Sequence, residues 1–133
     1  MRGLDTNLIV RFVTDDEPAK TAAVKALFAQ ADKDEERLFV SSIVLCELVW
    51  ALRSKPYRLR RPEIASVLQR MLSTELFEVQ DRDLARQALL EYRQGRADFA
   101  DYLLGCHNRR AGCDVTLTFD RKLRNANGFS LLA

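Results

Sequence analysis

The chain has 133 residues, enough for one domain and too few for two of ordinary size. Its 47% hydrophobic content can supply a core, and no apolar run approaches the roughly 20 residues of a membrane-spanning helix. A formal net charge of +2 excludes a protein that holds nucleic acid by bulk charge, so any RNA must be gripped by a local basic patch.

The apolar start is broken by Asp5, Thr6, Asn7 and Arg11, which leaves no secretory signal and leads us to expect a soluble, cytoplasmic protein. Residues 1–4 predict a brief strand, and residues 7–13 open a helix. Residues 17–31 are helical, with Ala22, Ala23, Ala26 and Ala29 on the small-residue faces. Residues 38–40 form a strand, and Ser41-Ser42 offers a cap for a helix over 43–53. Pro56 interrupts that helix and Pro62 suits the start of the next, where Ile64, Leu68 and Met71 recur at helical spacing. A strand over 76–79 precedes helices over 83–92 and 98–109. Residues 115–119 read as a strand, and 129–132 as a last apolar run. No repeat or flexible linker divides the chain, so residues 1–133 are expected to make a single domain.

Strands alternating with helices imply an α/β fold with a central, mostly parallel sheet flanked by helices. Sites in such sheets gather at the C-terminal ends of the strands. Asp5 follows the first strand, Asp120 follows the strand over 115–119, and Asp101 lies in the first turn of its helix. Asp5 and Asp120 suit helix caps as well as ligands, and Asp98 with Asp101 suits an N-cap with its N3 partner. Glu47 differs, because Ile43, Val44, Trp50 and Ala51 surround it at helical spacing. A buried glutamate in apolar company needs a cation. Converging carboxylates select hard cations, Mg²⁺ or Mn²⁺, and equip a site for phosphodiester hydrolysis.

Cysteine and histidine chemistry does not compete. Cys46, Cys106 and Cys113 match no zinc spacing and read as buried, reduced thiols, and the single His107 reads as packed. A haloacid-dehalogenase-type phosphatase would place an aspartate where Asn7 stands, and a receiver domain would need an acidic pair at the first strand. A non-catalytic, metal-stabilised module that binds RNA or protein is the rival from another class.

The segments Gly-Leu-Asp5-Thr6-Asn7, Ser-Ser-Ile-Val-Leu-Cys-Glu47-Leu, Ala97-Asp98-Phe99-Ala100-Asp101-Tyr102 and Leu117-Thr118-Phe119-Asp120 together resemble PIN-domain ribonucleases. Among these, the chain is similar to the VapC-type toxins of prokaryotic toxin–antitoxin pairs. The likeness runs over nearly the whole chain. It implies a three-layer PIN-like fold and an Mg²⁺- or Mn²⁺-dependent endoribonuclease. Asp5, Glu47 and Asp101 would be the core acids, Asp120 a more variable fourth, and Asp98 a ligand through water. Asn7 and Thr118 would orient carboxylates or water. The likeness also implies a homodimer, an RNA substrate and an antitoxin that blocks the acidic groove.

Two basic clusters could hold RNA. Arg121, Lys122 and Arg124 directly follow Asp120, whereas Arg53, Lys55 and Arg58, with Tyr57 among them, follow the Glu47 helix. The second cluster is equally well read as a solvated loop.

Overall fold

Short-range signals set most element boundaries in the computed structural model, which describes residues 1–132. The elements in chain order are β1 (Arg2–Gly3), α1 (Thr6–Thr14), α2 (Pro18–Lys33), β2 (Leu38–Val40), α3 (Ser42–Arg53) and α4 (Arg61–Ser73). There follow β3 (Phe77–Val79), α5 (Arg82–Gln94), α6 (Phe99–Arg110), β4 (Thr116–Thr118), a 3-10 turn (Arg121–Leu123) and β5 (Phe129–Leu131). Each predicted element is present, with ends shifted by at most a few residues, as fraying and local capping allow.

The chain divides into two compact units, Met1–Arg82 and the part from Asp83 onward. In the first, β1, β2 and β3 lie side by side in that order, and both pairings are parallel. Parallel neighbours need crossovers, which α1 with α2 and α3 with α4 supply. Leu38 and Val40 of β2 and Phe77 and Val79 of β3 are buried, and the residues between them are half-buried. Helix α1 packs on α2 and α3, and the rings of Phe12, Phe28 and Phe77 form a chain with centroids 5.0 and 5.4 Å apart. Pro18 occupies the first turn of α2, where its missing N–H costs nothing. The Thr21 hydroxyl then ties α2 back to the Arg11 carbonyl at 3.1 Å. Thr21, Val24, Phe28 and Ala31 form the buried stripe of α2, while Ala22, Ala23, Ala26 and Ala29 face outward.

Helix α3 starts where Ser41, in extended conformation, accepts a hydrogen bond from the Val44 N–H. It buries Val44, Leu45, Leu48, Val49 and Leu52, each contributing about 1.5–3 kcal/mol of hydrophobic stabilisation. The opposite face is open, and this corrects one expectation. Glu47 is exposed, and so are Ile43 and Trp50 beside it. Both faces of α3 are apolar in sequence, and the fold, with α1 and α4 packed on this helix, buries only one of them.

In the second unit β4 and β5 pair in parallel, with Thr116 opposite Phe129 and Thr118 opposite Leu131. Helix α5 buries Leu84, Ala85, Ala88, Leu89 and Tyr92. Tyr92 meets Phe99 of α6 edge-on, with ring centroids 6.0 Å apart. Gly105 lets α6 close on β5, because a Cβ there would lie 2.7 Å from Cζ of Phe129. Asn108 of α6 donates to the Thr116 hydroxyl at 2.9 Å. The strands of both units are thus parallel and helix-covered, the α/β class expected from the alternation.

The cysteines divide. Cys106 is buried, Cys46 is half-buried and Cys113 is exposed, so the expectation of buried thiols fails for Cys113, which lies on the open turn after α6. No helix among the described residues is long and apolar enough to cross a membrane.

Candidate carboxylate site

In the first unit, Asp5 lies just past the C-terminal end of β1 and is the N-cap of α1, its Oδ1 accepting from the Thr6 N–H at 2.7 Å. The same Thr6 donates its hydroxyl to Glu47 Oε1 at 2.8 Å. One threonine therefore binds both acids, through its backbone to Asp5 and through its side chain to Glu47. Thr6 is buried, whereas both carboxylates are exposed. Glu47 does have a polar companion, but it is supplied by α1 rather than by a neighbour on its own helix. Asn7 is exposed in the first turn of α1.

In the second unit, Asp98 is the N-cap of α6 in extended conformation, and Asp101 stands at N3. The Asp98 N–H donates to Asp101 Oδ2 at 3.2 Å, the return half of a capping box. Both capping geometries foreseen for Asp98 and Asp101 are therefore present. Burial holds the Asp101 carboxyl above the usual aspartate range, and the negative charges of Asp98 and Asp120 push it further up, against the cation of Lys122. Asp120 follows β4, and its N–H donates to the Thr118 hydroxyl at 3.0 Å. Its Oδ1 accepts from the Lys122 N–H at 2.9 Å and so caps the 3-10 turn.

Capping uses only part of a carboxylate's capacity, since each has about four acceptor positions. Among the described residues, none of Asp5, Glu47, Asp101 and Asp120 forms an ion pair with a lysine or arginine, although several other acids do: Glu36 with Arg2, Glu78 with Arg37 and Glu91 with Arg109. These four acids therefore keep open oxygens that no ion pair with a lysine or arginine occupies. Among the described residues of the two units, no three His, Cys, Asp or Glu side chains gather into a metal-holding group. Each unit does offer two acids, Asp5 with Glu47 and Asp101 with Asp120. That donor chemistry fits a magnesium-type ion, which keeps much of its water and takes one or two carboxylates.

The two basic clusters differ. Arg121, Lys122 and Arg124 are exposed and directly follow Asp120. Arg53 at the end of α3 and Lys55 and Arg58 on the loop after it are exposed, but Tyr57 in that loop is tied down by donating to Asp16 Oδ2 at 2.5 Å. That bond holds the Asp16 carboxyl below its ordinary range and fixes the ring that a base would have to meet. Sequence reasoning missed Thr6. Its signal was a hydroxyl directly after a capping aspartate, at the first position of a helix.

Parallel strands with acids just beyond their C-terminal ends place these side chains where ligand sites of α/β folds gather. The chain belongs to the PIN domain family, whose profile matches residues 4–128 and so spans both units. Among curated proteins it is similar to a VapC ribonuclease of Aquifex aeolicus (strain VF5), 28% identical over 124 residues, covering 93% of this chain and 90% of the relative. No solved structure matches the chain.

Proposed function

We propose that this chain is a metal-dependent endoribonuclease of the VapC type, the toxin of a toxin–antitoxin pair, acting as a single nuclease domain. One observation carries the reading: Asp5, Glu47, Asp101 and Asp120 keep open oxygens with no lysine or arginine paired to them. The family match over residues 4–128 and the likeness to a ribonuclease of nearly equal length support it.

Asp5, Glu47, Asp101 and Asp120 would hold Mg²⁺ or Mn²⁺. Such an ion, when bound, lowers the pKa of water and stabilises a leaving oxygen. Thr6 fixes the Glu47 carboxylate through its hydroxyl, and Thr118 fixes the backbone that presents Asp120. Asp98 orders the first turn of α6 and so positions Asp101. The partners that follow from this reading are an RNA substrate, a second copy of the chain and an antitoxin, with the cytoplasm as the site of action.

Purified protein should cut RNA when Mg²⁺ or Mn²⁺ is added and stop when a chelator is added. Asp5→Asn and Asp101→Asn should each abolish cutting while the circular dichroism spectrum stays that of the folded chain, since each exchange removes a charge and keeps the shape. Full turnover in either variant refutes the assignment. The rival reading, a non-catalytic RNA- or protein-binding module, draws on the lack of a three-acid group among the described residues. Equal RNA binding with and without metal, and no cutting in any condition, would establish it.

A further inference from the structure

A cleft of about 840 Å³ opens in the second unit, outside the set of acids. The end of α5 lines it with Glu91 and Gln94, α6 with Tyr102, and the segment after Asp120 with Arg121, Lys122, Arg124 and Asn125. Its size falls in the upper part of the roughly 300–1,000 Å³ range of small-ligand pockets, which leaves room for more than one nucleotide.

The charge of the lining is one-sided. Arg121, Lys122 and Arg124 are exposed and form no ion pair among the described residues, and Glu91 is already matched by Arg109 at 2.8 Å. The chain as a whole carries only +2, so these cations make a local excess of positive charge. Lys122 joins the cleft to the acids, because its N–H donates to Asp120 Oδ1 at 2.9 Å while the residue lines the cleft. The interior adds hydrogen-bonding groups. Gln94 and Asn125 carry amides that both donate and accept.

We propose that this cleft seats the unpaired nucleotides flanking the cut phosphodiester, with Arg121, Lys122 and Arg124 on their phosphates and Gln94 and Asn125 against the base edges. The proposal rests on the ribonuclease reading for its ligand. Cations along a groove track a single-stranded backbone, and amides read the edges of splayed bases. An antitoxin segment that presented a basic side chain would be repelled by the same lining.

The test measures binding of a fluorescein-labelled eight-nucleotide RNA of mixed sequence to the full chain, with chelator present so that nothing is cut. The Arg121→Ala/Arg124→Ala double variant should weaken binding at least tenfold. It should also lower the slope of log affinity against log salt by about 1.4, since each lost single-strand phosphate contact is worth roughly 0.7. Lys25→Ala/Lys33→Ala, an equal loss of exposed charge on α2, should leave the slope unchanged. With metal restored, Asn125→Ala should change the base preference next to the cut in a pool of random RNA.

An unchanged slope in the cleft variant, or an equal fall in the α2 variant, overturns the proposal, as does displacement of the RNA by oligoglutamate at equal phosphate and carboxylate concentration. Failure of the ribonuclease reading looks different. Wild-type chain would then cut nothing with metal, while the slope would still report whether RNA occupies the cleft.

Discussion

Thr6→Val removes the hydroxyl that donates to Glu47 Oε1 at 2.8 Å and keeps the branched outline of the side chain. A hydrogen bond to a charged group contributes about 1.5–3 kcal/mol when water cannot replace it. Here Glu47 is exposed, so water can take the vacated position, and the loss in stability should fall to about 1 kcal/mol or less. The loss in activity should be larger in proportion. Without the threonine, the glutamate of α3 is free to explore rotamers, and about 1.4 kcal/mol of lost positioning is tenfold in rate. The assay is single-turnover RNA cleavage at saturating protein with Mg²⁺, paired with a thermal melt of each variant. Thr6→Val should cut about tenfold more slowly at nearly unchanged Tm, and Thr6→Ser should recover most of the rate. In the double variant with Glu47→Ala, which removes the acceptor, the threonine change should have little further effect, because its partner is gone. A Thr6→Val rate within twofold of wild type, or a loss that simply multiplies with that of Glu47→Ala, would refute the role given to this hydroxyl.

Asp101 supplies a pH prediction. Its carboxyl titrates above the ordinary aspartate range in the fold, through burial and the charges of Asp98 and Asp120. A raised carboxyl pKa means that the folded chain holds the proton longer than the unfolded chain. Metal-free stability should therefore fall as pH rises from the ordinary aspartate value through the raised one, and stay low above it. Asp101→Asn should lose that dependence and melt higher than wild type at neutral pH without metal, while Mg²⁺ raises the Tm of wild type only. A lower melt for the metal-free variant would show that the capping charge outweighs the repulsion. Gly105→Ala places a Cβ 2.7 Å from the Phe129 ring, and such overpacking costs about 1–3 kcal/mol. Its Tm should drop by about 5 °C or more, and an unchanged melt would mean that β5 yields easily.

Most of the element pattern was legible in the sequence because its signals act over a few residues. Ser41 as a cap, Pro18 and Pro62 in first turns, and the apolar triplet Leu38-Phe39-Val40 depend on nothing distant. The places of the candidate aspartates in the elements were legible for the same reason: aspartates directly after strands and at a helix start are local patterns. The roles of Asp98, Asp5 and Asp120 as caps were open in sequence. Coordinates resolved them, since capping depends on backbone angles that the residue type only favours.

What tertiary structure alone decided concerns faces and distant partners. Helix α3 is apolar on both sides, so periodicity could not tell which side the fold would cover, and Glu47 emerged on the open one. Its hydrogen-bond partner stands 41 residues away in sequence, beyond any local pattern. Likewise, Arg121 and Lys122 share a cleft with Gln94 only because α5 and the segment after β4 close on one space in the second unit. Backbone preference is settled among near neighbours, whereas burial and pairing are settled by whichever surfaces the folded chain brings together.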